Sequence, residues 1–121
     1  MQNDATFLTD MLLAARQVTS YLEDQTLEML IEDTIRRDAV ILQIIILGEA
    51  ARNVSSIYQE EHPEIPWSSI IGMRNMLVHQ YFRTDIEVVW DTVKRDLPQL
   101  IKSLIPLVPS DAIADDDPAE E

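Results

Sequence analysis

Between Thr34 and Gln59 the chain contains no proline and one glycine, Gly48. Within that stretch Ile35, Ala39, Leu42, Ile46, Ala50 and Val54 recur at the spacing of one helical face. Ile41, Ile44, Ile45 and Leu47 add apolar surface on the other faces. A helix that is apolar nearly all round belongs at the centre of a bundle or at a subunit interface. The pattern predicts one long helix over about 34–59, with the stripe from Ile35 to Val54 turned inward. In a chain of 121 residues, the apolar excess on that helix also predicts a dimer.

The flanking segments read as further helices. Phe7, Met11, Ala15, Val18 and Leu22, with Leu8 and Leu12 beside them, mark a first helix that Asn3 or Asp4 can cap. A short helix is expected between Thr26 and Asp33. Pro63 and Pro66 make the His62–Trp67 stretch a loop. Ser68 or Ser69 can open the next helix, which carries Ile70, Ile71, Met73, Leu77 and Val78. Thr84 and Glu87 have the spacing of a capping box. The helix after them buries Ile86, Val89, Trp90, Val93, Leu97, Leu100, Ile101 and Leu104. Pro98 lies inside that pattern and is expected to kink or split it, with Asp96 as a second cap. Pro106 and Pro109 end it. With only two glycines in the chain, a turn-rich β protein is disfavoured. The expectation is all-α, a four- to five-helix up-and-down bundle over residues 1–109. An acidic tail over 110–121 is expected to be disordered.

Composition narrows the chemistry. There is no cysteine, which excludes disulfides, zinc–thiolate sites and thiol nucleophiles. The first residues lack the basic start of a signal or transit peptide. The run from Ala39 to Gly48 is far shorter than the ~20 residues of a membrane span. A soluble cytoplasmic protein without a membrane partner is therefore expected. The net charge of −13 opposes nucleic-acid binding, because phosphate is repelled by a negative surface. Six acids and no base fall in the tail, and without them the charge is still −7.

The residues suited to catalysis are Arg74 and His79. Arginine is a permanent cation whose planar donor fork fits phosphate oxygens. Histidine gives or takes a proton near neutral pH. Together they suffice to cleave RNA: a base removes the 2′-hydroxyl proton, the oxygen attacks phosphorus, and a cation stabilises the added charge. No metal and no cofactor are required. The spacing alone is a weak signal. Arg74 could equally pair with a carboxylate, His79 could cap a helix end and Tyr81 could pack in the core. Geometry adds a difficulty, since residues five apart on one helix point roughly 140° away from each other. Either the helix ends before His79, or the arginine bends round, or the site is shared between two subunits.

The stretch Pro66-Trp67-Ser68-Ser69-Ile70-Ile71-Gly72-Met73-Arg74-Asn75-Met76-Leu77-Val78-His79-Gln80-Tyr81 resembles the signature of the HepT toxins, within the HEPN superfamily. Gly48-Glu49-Ala50-Ala51, Val89-Trp90 and Asp96-Leu97-Pro98 resemble further segments of that family in the same order. The resemblance extends over roughly Thr6 to Ile105. It implies a HEPN-like dimeric bundle that cleaves RNA without metal, with Arg74 and His79 catalytic and Asn75 supporting. It also implies a partner, a nucleotidyltransferase antitoxin of the MntA type, that transfers AMP from ATP onto Tyr81. A bulky anion two residues from His79 would fill the phosphate site and repel RNA.

Asp38 and Glu49 lie eleven residues apart, share a face of the long helix, and as buried carboxylates could orient Arg74 or His79. Arg36, Arg37, Arg52 and Arg83 could form a local positive groove. His62, Trp67 and Trp90 read as ordinary structural residues. A competing reading remains open: a non-catalytic helical module that binds a nucleotidyltransferase, which the high acidity favours.

Overall fold

Asn3 opens the first helix. Its Oδ1 accepts from the Thr6 amide at 3.1 Å, and α1 follows as Asp4–Tyr21. The computed structural model describes residues 3–111. The expected acidic tail lies outside the described residues from position 112 onward. Thr26 caps α2, Leu27–Glu32, and Asp33 caps α3, Thr34–Asn53. Then come α4, Ser56–Glu61, and α5, Trp67–His79. A 3-10 turn, Tyr81–Arg83, leads to α6, Ile86–Leu104, and a second 3-10 turn closes the bundle at Ile105–Leu107. Four long helices and two short ones give the all-α bundle, and no strand occurs among the described residues. No described helix is long and apolar enough to cross a membrane.

The long helix is central, as expected. α3 packs along α1 on one side and along α5 on the other, while α6 packs chiefly on α1. The stripe that the periodicity suggested is buried only toward its C-terminal end, at Ala50 and Val54. Val40, Ile41, Ile44, Leu47, Ala50 and Ala51 are buried, whereas Ile35 is 83%, Leu42 54% and Ile46 38% exposed. The reason is the all-round apolarity itself. Two neighbouring helices can cover only part of such a cylinder, and the period alone does not choose which part. The first and last helices have one apolar face each, and there the expected stripes are buried or half-buried.

Several boundaries differ from expectation for local reasons. α3 ends at Asn53 because Val54 turns extended and Ser55 becomes the cap of α4. The Asp4 carboxylate secures that break, accepting from the Ser55 amide at 2.8 Å and its hydroxyl at 2.7 Å. α5 starts one residue before Ser68, at Trp67, with no side-chain cap. Asp85, not Thr84, caps α6 by accepting from the Glu87 amide at 3.0 Å. The Thr84 hydroxyl instead donates to the Gln80 carbonyl at 3.0 Å. α6 runs unbroken through Pro98. The ring costs the helix one backbone hydrogen bond, and burial of Val93, Leu97, Leu100 and Leu104 along one side offsets that loss.

Candidate active site

Arg74 projects from α5 toward α3 at the point where the two helices come closest. Gly48 makes the approach possible. A Cβ built on Gly48 would overlap Cβ and Cγ of Arg74 and stand 3.2 Å from the Ile70 carbonyl. With hydrogen in that place, the arginine lies directly against the α3 backbone. Its guanidinium is then held from two sides. Nη2 is 3.1 Å from Glu49 Oε1, and Nη1 donates to Asn75 Oδ1 at 2.9 Å. Nε is buried and has no hydrogen-bond partner among the described residues. The side chain as a whole is 20% exposed, so the group is anchored at its stem and open at its tip.

Glu49 serves more than Arg74. Its Oε1 also lies 3.4 Å from Arg52 Nη1, and Oε2 accepts from Asn53 Nδ2 at 3.5 Å. Glu49 and Asp38 are exposed, where buried carboxylates were expected. Their shared face on α3 is nevertheless the one that meets the motif. Glu49 meets Arg74, and Asp38 meets Tyr81.

His79 is the last residue of α5. It is exposed and forms no side-chain hydrogen bond among the described residues. The helix therefore does not end before His79, which removes one of the three ways to reconcile the spacing. Arg74 and His79 stand about 7.5 Å apart along one axis and on different faces. Within a single chain the structure does not bring them together. His79 lines a depression with Val78, Gln80, Tyr81, Phe82 and Arg83, and Arg74 is outside it.

Tyr81 sits in that depression, 38% exposed, its ring edge-to-face with Phe82 at 5.4 Å. The Asp38 carboxylate, acting as an acceptor toward the phenol, is the main reason Tyr81 is held above its ordinary pKa. Partial desolvation and the Asp38 charge act the same way, while Arg37 opposes them. Sequence reasoning had no signal for this pairing beyond the spacing of Asp38 and Glu49.

Arg36, His62, Trp67 and Trp90 are engaged by neighbours within the fold. Arg36 is occupied by Asp33 at 3.3 Å and the Tyr21 carbonyl at 2.7 Å. His62 stacks on Tyr58 at 4.2 Å and meets Glu64 at 3.1 Å. Trp67 is buried and donates to the His62 carbonyl at 2.9 Å. Trp90 is half-buried beneath Lys94, whose Nζ is 4.7 Å from the ring centre.

Comparison with known proteins identifies the family. The family description "Ribonuclease HepT-like" matches residues 11–106. A protein of Methanocaldococcus jannaschii named for a proposed RNase activity is 36% identical over 98 residues, 81% of this chain and 90% of its own. A protein of Thermococcus cleftensis bearing the name of a ribonuclease HepT is 36% identical over 94 residues, 78% of this chain and 86% of its own. A further relative from Caldanaerobacter subterraneus, also named for a proposed RNase activity, is 32% identical over 77 residues, 64% of this chain and 69% of its own. No solved structure matches the chain. Because the match runs from the middle of α1 past the end of α6, across Gly48, Arg74 and Tyr81 alike, the chain belongs to the HepT-like ribonuclease family.

Proposed function

We propose that the protein is the toxin of a toxin–antitoxin pair and cleaves RNA as a metal-independent endoribonuclease. The observation that carries this reading is the seating of Arg74 against Gly48, with its guanidinium held by Asn75 and turned toward an anion, the Glu49 carboxylate. A cation held in place before the reaction stabilises developing phosphate charge at little reorganisation cost. Each Nη of Arg74 keeps a second proton for a phosphate oxygen. His79, unpaired and accessible, takes the proton of the 2′-hydroxyl. That oxygen bonds to phosphorus, the bond from phosphorus to the 5′ oxygen breaks, and the 5′ oxygen leaves with a proton. The products are a 2′,3′-cyclic phosphate and a 5′-hydroxyl.

The working unit in this reading is a homodimer. Ile35, Leu42 and Ile46 form an exposed apolar ridge on the same face of α3 as Asp38 and Glu49. A second copy packed on that ridge about a two-fold axis would cover it. Arg74 and His79 of both copies would then line one cleft, which supplies the convergence a single α5 lacks.

Tyr81 is the switch. A nucleotidyltransferase of the MntA type would transfer AMP from ATP to the phenol oxygen, with pyrophosphate leaving. In this reading the Asp38 carboxylate, whose influence raises the pKa of that phenol, accepts the proton. The added anion would sit beside His79 and exclude RNA by charge and bulk.

The test is to incubate the purified, unmodified protein with RNA in EDTA and look for 2′,3′-cyclic phosphate ends. Cleavage lost in folded Arg74→Ala and His79→Ala variants supports the reading. Intact RNA with the wild type, or equal cleavage by His79→Ala, overturns it. For the switch, incubation with ATP and the antitoxin should add one AMP, absent in Tyr81→Phe. AMP on Tyr81 without any growth effect of the unmodified protein would favour the binding module.

A further inference from the structure

Two guanidinium groups converge on one oxygen atom at the α3–α5 contact. Arg74 Nη2 and Arg52 Nη1 lie 3.1 Å and 3.4 Å from the same Glu49 Oε1. Two cations drawn to a single oxygen outline a site for an anion, and a phosphate oxygen meets the same donors. Glu49 is half exposed, carries three rotatable bonds and is free to move aside. Asn53 and Asn75 flank the pair with further polar groups.

The wider charge distribution fits. α3, α5 and the turn Tyr81–Arg83 carry five arginines, Arg36, Arg37, Arg52, Arg74 and Arg83, against two carboxylates, Asp38 and Glu49. In a chain of net charge −13, this layer is locally positive and is where a polyanion is tolerated. Arg36 is already consumed by Asp33 and Tyr21. Arg52 is half exposed, and among the described residues its guanidinium is bound only to Glu49.

We propose that Arg52 is a second phosphate-binding residue of the site, forming with Arg74 a two-guanidinium anion pocket whose place Glu49 holds until RNA enters. The inference rests on the ribonuclease reading. Arg52 touches the substrate, Glu49 positions both arginines in its absence, and the exchange of carboxylate for phosphate leaves one negative charge between the two cations throughout.

The experiment measures binding of a fluorescein-labelled, fully 2′-O-methylated oligonucleotide of mixed sequence, which has no 2′-hydroxyl to attack. Anisotropy is read across a series of salt concentrations. Arg52→Ala should bind about tenfold more weakly and lower the salt slope by about 0.7, one phosphate contact on a single strand. Its cleavage of ordinary RNA should show a raised KM with a smaller change in kcat. Arg95→Ala, which removes an exposed arginine on α6 paired with Asp96, should match the wild type. Glu49→Gln should bind severalfold more tightly, because the competing charge is gone while the side-chain shape remains. Arg52→Ala with wild-type affinity and slope, in the same oligomeric state, overturns the role of Arg52. Weaker binding by Glu49→Gln overturns the placeholder. A wild type that neither binds this probe nor cleaves RNA brings down the ribonuclease reading itself, and this inference with it.

Discussion

Gly48 and Arg74 occupy one another's space: the volume a side chain on Gly48 would take is already filled by Cβ and Cγ of Arg74. Two effects of Gly48→Ala oppose each other. Replacing a mid-helix glycine gains about 1 kcal/mol of helix propensity. Overpacking costs about 1–3 kcal/mol, and here the obstacle is the stem of the arginine, fixed to its backbone, so overpacking dominates. Gly48→Ala is expected to lower Tm and to displace Arg74, with loss of cleavage well beyond the loss of folded protein. Unchanged activity in a scan of Tm and initial rates would refute the close approach.

His79 is exposed at the end of α5 and makes no side-chain hydrogen bond among the described residues, so His79→Ala should leave stability within about 0.5 kcal/mol. Loss of a general base costs roughly a hundredfold to ten-thousandfold in rate. Thermal melts beside RNA cleavage assays test the pairing of those two outcomes. A variant that melts early would give His79 a structural role instead.

Asp38 raises the pKa of Tyr81 by accepting its hydrogen bond and by opposing the phenolate charge. The sign follows directly. Asp38 favours the neutral phenol, so its contribution is present at neutral pH and is lost as pH rises through the elevated folded value. Asp38→Asn should therefore bring the Tyr81 titration to lower pH. Near-ultraviolet absorbance titration, with Tyr81→Phe subtracted, isolates this group. The same substitution should slow AMP transfer to Tyr81, because the proton acceptor is gone.

Leu42 stands 54% exposed in the middle of the ridge on α3. Leu42→Glu changes a surface position of the single chain and should cost little in its folding. In a dimer it would bury an unpaired charge at the interface and shift the population to monomer. Sedimentation velocity should show that shift, and cleavage should fall with it. A stable, active dimer of this variant would place the interface on another face.

Much of the fold was legible in the chain itself. α1 and α6 have one apolar stripe each, so period and burial agree at Met11, Val18, Val89 and Leu97. α3 offered apolar residues in every direction. There Ile35 and Leu42 were expected inside and stand outside, because only the packing of α1 and α5 selects the covered faces. The cap of α1 was narrowed to Asn3 or Asp4, and Asn3 is the one used; at α6 Thr84 was expected and its neighbour Asp85 caps instead.

By itself, the sequence determined an all-α chain and the residues that can do chemistry, since helical period and side-chain type are local properties. Tertiary structure alone decided what those residues face. Gly48 became the floor beneath Arg74, Glu49 the carboxylate shared by Arg74 and Arg52, and Asp38 the partner of Tyr81. Apart from Glu49 and Arg52, which are three residues apart on α3, these pairings join residues far apart in the chain, and no spacing encodes them. They exist only because two helices pack closely enough for side chains from one to reach the other.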